Sequence, residues 1–144
     1  MLKLSKRCEY ALLAMHEMAR EPRAVLSAKD VADRFSISPS LVAKVLQQLV
    51  REGIVRSYAG ANGGYALAVE ASAISIERVI RAIDGFNGAI VDCQETEHHA
   101  CSAHGSCTIR EPLSLLQDRI NATFRSMTVA ELVSPRNLIQ LEVS

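Results

Sequence analysis

Three cysteines, Cys93, Cys101 and Cys107, fall within fifteen residues at the spacing Cys-x7-Cys-x5-Cys. Three thiolates this close together suit a soft metal or an iron–sulfur cluster, with a fourth ligand drawn from elsewhere. His98, His99, His104, Asp92, Glu95 and Glu97 lie on the same stretch. Spacing alone leaves three chemistries open. One is a cluster, [4Fe–4S] or [2Fe–2S]. Another is zinc, which accepts any mix of four Cys and His ligands. The third is a thiol redox switch. The intervals do not match a short Cys-x2–4-Cys knuckle, which counts against zinc, and a disulfide switch would leave one cysteine idle. Cys8 and Glu9, far upstream, are candidates for the fourth ligand if one subunit's first helix approaches the cysteine segment of the other. Cys8 reads equally well as a small apolar residue on a packed helix face, and His16 as a structural histidine.

The elements that must position these groups follow from caps and periodicity. A helix is expected over 5–20, capped by Ser5 and ended by Glu21-Pro22. A short helix starts at Ser27, with Asp30 at capping-box spacing. A third follows Ser38-Pro39, because serine is a good N-cap and proline a good first helical residue. Its apolar positions Leu41, Val42, Val45, Leu46, Leu49 and Val50 recur at three and four, and it stops at Gly53. Strands are expected at 54–58 and 65–69, joined by Ala59-Gly60-Ala61-Asn62-Gly63-Gly64, whose Asn-Gly and Gly-Gly pairs tolerate positive φ. Ser75 caps a further helix to about Ile83, broken at Asp84-Gly85. Residues 84–109 have no sustained period, and a loop that long needs something to organise it. A long helix then runs from Arg110 to about Arg125, with Leu113, Leu116, Ile120 and Phe124 on one stripe and Leu115 beside it. Thr128 and Glu131 are spaced to box the start of a last short helix.

Helix, short helix, turn, helix and glycine-tipped hairpin is the order of a winged helix-turn-helix. The expected fold is mainly α with a small β-wing, followed by a long C-terminal dimerisation helix. Residues 1–72 form the DNA-binding domain, 73–133 the cluster-binding loop and dimerisation helices, and 134–144 a flexible tail. In such a motif the second helix enters the major groove by its N-terminal end. Its polar positions are Ser38, Ser40, Lys44, Gln47, Gln48 and Arg51, with Ser40 and Lys44 nearest the leading end. Lys3, Lys6, Arg7 and Arg56 are candidates for phosphate contact, which positions without specifying. Asn62 would act at the wing tip.

The 144 residues include 49% hydrophobic ones, enough for one modest core. There is no run of eighteen apolar residues and no long apolar N-terminal stretch, so a cytoplasmic protein without a membrane span is expected. In a reducing compartment clustered cysteines read as metal-binding or redox-active before they read as disulfides. Net charge is zero, but residues 1–60 carry ten Lys/Arg against six Asp/Glu and residues 61–144 the reverse. A basic front half on an acidic back half fits a DNA-reading head on a sensing or assembly region. No Walker pattern or dinucleotide fingerprint is present, and no enzyme constellation stands out.

The chain resembles the IscR/NsrR/RirA family of bacterial regulators. The resemblance lies in Leu4-Ser5-Lys6-Arg7-Cys8-Glu9-Tyr10-Ala11-Leu12, in Leu49-Val50-Arg51-Glu52-Gly53-Ile54-Val55, and in Gly60-Ala61-Asn62-Gly63-Gly64-Tyr65. The three cysteines before a long helix and Met127-Thr128-Val129-Ala130-Glu131-Leu132 after it extend the likeness over roughly 1–135. It implies a homodimer with crossed long helices that binds a double-stranded DNA operator. It also implies an iron–sulfur cluster on Cys93, Cys101 and Cys107 that sets operator affinity in response to iron, redox or nitric oxide status, with repression as the expected sign. The x7 and x5 intervals look most like the iron-responsive RirA branch. In the IscR branch a histidine follows the last cysteine by three residues, and here Arg110 stands there. In the NsrR-like branch an acidic residue of the partner subunit's first helix ligates, and the match here is Glu9, with Cys8 the runner-up. The competing functions are a zinc-stabilised winged-helix module without sensing and a thiol-based redox repressor.

Overall fold

The computed structural model describes residues 3–85 and 105–134. Helix α1 spans Lys6–Arg20. Ser5 caps it, its Oγ accepting from the Cys8 N–H at 3.1 Å. Cys8, Ala11, Met15 and Met18 recur every three or four residues with Ala14 beside them, and all are buried, so one face of the helix enters the core. Helix α2 (Ala28–Phe35) opens on a full capping box. Ser27 N–H donates to Asp30 Oδ2 at 2.9 Å and Asp30 N–H to Ser27 Oγ at 3.0 Å. An aspartate thus closes the box as completely as the longer glutamate would. Ser36 ends α2 with φ 54°, the left-handed conformation that turns the chain toward the next helix.

Helix α3 (Pro39–Arg51) buries Val42, Val45, Leu46 and Leu49 and keeps Ser40, Lys44, Gln47 and Arg51 outside. Ser38 occupies the N-cap position, but its hydroxyl makes no capping bond to the helix backbone. It lies 3.0 Å from Ser40 Oγ instead, a departure from the capping role expected of it.

The wing is an antiparallel pair, β1 (Val55–Tyr58) and β2 (Gly64–Leu67), in the register Val55↔Leu67 to Tyr58↔Gly64. Each strand is shorter than expected. A backbone bridge extends the sheet, with Leu26 N–H donating to Tyr65 O at 2.9 Å and Tyr65 N–H to Leu26 O at 2.7 Å. That bridge accounts for Gly64, while Gly63 is required by the turn itself. A Cβ on Gly64 would sit 2.6 Å from Leu26 O, and one on Gly63 would sit 2.2 Å from Tyr58 O. Both are positions of close backbone approach.

A 3-10 turn (Ala71–Ala73) leads to α4 (Ile76–Asp84), capped by Ser75 and ended at Gly85. Helix α5 (Arg110–Ser126) and helix α6 (Val129–Val133) complete the described chain. Thr128 N–H donates to Glu131 Oε2 at 2.6 Å, as the box spacing predicts. Two backbone bonds return α6 to the head, from Ile76 N–H to Met127 O and from Val129 N–H to Ile74 O, both 2.9 Å. Ile74, Ile76, Val79, Ile80, Ile83 and Val129 therefore share one core with α1, α2 and α3. The core continues across residue 72, the boundary expected between the DNA-binding domain and the rest.

The inner stripe of α5 differs from the expected one. Leu113, Ile120 and Phe124 are partly buried and Gln117 is buried, whereas Leu116 turns outward. The spacing 113, 117, 120, 124 keeps a helical face intact with a glutamine at one position. Phe124 packs on the core, so this end of α5 is anchored to the head. Ile109, Leu115 and Leu116 remain exposed, at 58%, 54% and 47%.

Candidate nucleic-acid interface and cysteine site

The candidate recognition face lies on α3. Ser40, Lys44, Gln47 and Arg51 are spaced four, three and four apart, so they form one exposed stripe leading from the helix N-terminus. Ser38 is exposed at its leading end. Lys44 and Gln47 have their side chains turned to solvent. Arg51 is exposed too, and its Nη1 donates to Gln48 Oε1 at 3.3 Å. Gln48 does not belong to this stripe. It is half-buried, and its Nε2 donates to the Ala82 carbonyl of α4 at 3.2 Å.

Of the other basic candidates, Lys3, Arg7 and Arg56 are exposed. Lys6 is exposed and paired with Glu9 at 2.6 Å, which holds its pKa above the usual lysine value, through the hydrogen bond first and the charge second. Asn62 is exposed at the wing tip. Two strand positions from Arg56, on the same face, stands Tyr58, 45% exposed. The sequence offered Tyr58 only as a strand residue. An aromatic that finds no cover inside a two-stranded wing was the available signal.

Cys93 and Cys101 lie outside the described residues, and so do the neighbouring histidines and acids of that stretch. Cys107 is described, with a free, partly exposed thiol three residues before α5. Glu9 and Cys8, adjacent in α1, have opposite surroundings. Cys8 is fully buried among the core residues. Burial, with Asp84 and Glu9 nearby, pushes its thiol up to about 11. Glu9 is partly exposed and lines an open groove of about 740 Å³ with Leu12, Leu13, His16, Phe35 and Leu132. An external group can reach Cys107 or Glu9 without opening the core, and could not reach Cys8. The donor types fit a thiolate-bound cluster with a carboxylate at its fourth position. Among the described residues alone no three His, Cys, Asp or Glu side chains converge into a cation site.

The far end of the groove holds a group that periodicity did not reveal. Glu17 is buried, with side-chain exposure of 4%, on the inner face of α1. Arg34 of α2 pairs with its Oε2. His16 Nδ1 and Arg20 Nη1 approach Oε1 at 3.2 and 3.4 Å. The half-buried, structural reading of His16 agrees with this placement.

A winged helix-turn-helix with a polar recognition stripe, backed by a long helix, defines a DNA-binding transcription regulator. Residues 4–135 match the Rrf2 family, described as iron-dependent transcriptional regulators, and the chain belongs to that family. It is 30% identical over 141 residues to the HTH-type transcriptional regulator IscR of Yersinia pseudotuberculosis, covering 97% of this chain and 84% of the relative. The IscR of Serratia proteamaculans is also 30% identical, over 139 residues. Among solved structures, CymR, the global cysteine regulator of B. subtilis, superposes with TM-score 0.75 at 25% identity, over 92% of this chain and 97% of that one. The IscR of T. potens shares the fold, with TM-score 0.70 at 22% identity, over 99% and 93%. The family is one of regulators, not of enzymes. Among the described residues no helix is long and apolar enough to cross a membrane.

Proposed function

We propose that this chain is a homodimeric repressor whose operator affinity follows an iron–sulfur cluster held by Cys93, Cys101 and Cys107. The partner subunit's Glu9 supplies the fourth ligand. The observation that carries this reading is the contrast on α1, where the carboxylate of Glu9 opens to a groove while Cys8 is sealed in the core. Three clustered thiols and an accessible carboxylate form a donor set for iron, and the family description supports iron dependence. The cysteine intervals favour iron supply as the signal. The cluster, when bound, supplies an oxidant-sensitive crosslink among the thiolates.

The chain's own residues do the rest. Cys107 fixes the cysteine segment to the start of α5. Glu9, when drawn to the cluster, gives up Lys6 and leaves that ammonium free for phosphate. The α3 stripe is aimed at the major groove, with Lys44 able to reach guanine acceptors and Gln47 adenine edges. Arg56 and Tyr58 of the wing lie against the flanking backbone. Two heads must meet two half-sites together, so any change in their separation changes affinity.

Protein purified without oxygen should carry iron and acid-labile sulfide in near-equal amounts, with visible charge-transfer bands. Cys107→Ala should lose both, and Glu9→Ala should keep the thiolate bands but bleach faster in air. Colourless protein with one zinc per chain would replace this reading with a structural metal. Colourless protein that also fails reconstitution, with DNA binding that follows thiol oxidation, would replace it with a thiol switch.

A further inference from the structure

The last turn of α4 holds the ends of two other helices. At one side, Ser5 Oγ donates to Asp84 Oδ1 at 2.6 Å while accepting the Cys8 N–H, so the cap of α1 is tied to α4. At the other side, Gln48 Nε2 donates to Ala82 O at 3.2 Å. Ala82 O is among the last four carbonyls of α4, which have no partner within their own helix. A carbonyl can only accept, so the amide nitrogen of Gln48 must face it, and the oxygen is left to accept from Arg51 Nη1 at 3.3 Å. Arg78 Nη2 adds a longer contact to Glu52 O, the C-cap of α3, at 3.5 Å. One residue past Asp84 the chain leaves Gly85 toward Cys93.

We propose that the last turn of α4, residues 81–84, is the junction through which the cysteine segment sets the position of the recognition helix, and that Gln48 is the positioning residue that carries the coupling. The assignment rests on the sensing role proposed above. Gln48 lies one residue from Gln47 on the same helix yet reads no base. It links the C-terminal end of α3 to the turn from which the cysteine segment departs. Ala82 and Ile83 are buried in the common core, so that turn cannot shift without shifting what it grips. The cap of α1, which bears Glu9, is gripped by the same turn. The cysteine segment of one proposed cluster and the Glu9 offered to the other subunit's cluster therefore reach this reader head through one short stretch of backbone.

The test compares wild type, Gln48→Met and Gln47→Met. Methionine matches glutamine in length and removes the donor. Operator affinity is measured for the cluster-loaded and cluster-free forms, over a panel of single-base operator variants and a range of salt. Gln48→Met should narrow the ratio between the two forms by about two- to tenfold, the equivalent of one neutral hydrogen bond. Its base preference and salt slope should stay those of wild type. Gln47→Met should alter base preference and keep the ratio. A second readout needs no cluster. Hydrogen exchange at residues 48–53 of metal-free protein is compared before and after alkylation of the native protein. A response in wild type that is lost in Gln48→Met supports the junction. Equal behaviour of the two proteins overturns it, as does a changed base preference in Gln48→Met or a wild type with no response in either assay. Absence of iron and sulfide would defeat the sensing reading alone, because the alkylation arm still decides the junction.

Discussion

Cys8 and Glu9 sit side by side in the chain, and the fold gives them different chemistry. The sequence could only say that neighbours on a helix point about 100° apart. Packing decides which of them is inside. Because the Cys8 thiol stays neutral to about pH 11 in the folded chain and ordinarily titrates near 9, the folded state keeps its proton while the unfolded state loses it. Its contribution to stability is complete below pH 9 and is lost as pH rises from 9 to 11, amounting to about 2–3 kcal/mol. Denaturant melts of wild type and Cys8→Ala should therefore converge across that window. Iodoacetamide should label Cys107 in the native metal-free protein and spare Cys8 until denaturant is added. Rapid labelling of Cys8 in native protein would contradict its burial.

Helix positions were readable wherever a cap and a period agreed. Ser5, Ser27 with Asp30, Ser75, and Thr128 with Glu131 all mark helix starts, since each satisfies backbone groups locally. What the sequence hid depends on partners distant in the chain. Gln48 reads as another outward polar residue of α3 because its acceptor is 34 positions away. Leu116 reads as part of the inner stripe of α5 because leucine is apolar, yet Gln117 takes the inner place. Cys93 and Cys101, the centre of the functional reading, lie outside the described residues and stay at the level of pattern. The wing glycines read as turn formers, but the constraint on Gly64 comes from the Leu26 backbone. Gly64→Ala should accordingly separate β2 from residue 26, lower stability by about 1–3 kcal/mol, and weaken operator binding even at low salt. Thermal melts and a binding titration check this. An alanine variant as stable as wild type would mean the bridge gives way at no cost.

Charge and apolar surface divide along the protein as a whole. The basic excess lies in residues 1–60, with the reading face, and the acidic excess beyond them. Leu115, Leu116 and Ile109 expose apolar surface on the half of α5 remote from its anchor at Phe124. A surface of this kind on the long helix suits self-association, and a palindromic operator needs two heads. Leu116→Glu should give a monomer in sedimentation equilibrium while the head keeps its melting temperature. Operator affinity should fall by at least tenfold, because the second half-site no longer joins the first. A dimer that survives this change would move the interface to another face.

The carboxylate of Glu17 imposes a condition of a different kind. Oily surfaces slide over one another at little cost, and the place where α2 approaches α1 would be free to do so without a polar tie. A buried anion tolerates no sliding. Away from the guanidinium of Arg34 it would keep only His16 and Arg20 of its own helix, at 3.2 and 3.4 Å. Shifting either helix by one turn would break the pair that crosses between them. The pair between these helices therefore favours one register, and α3, which follows α2 and packs on α1 as well, is set by that tie together with its apolar contacts.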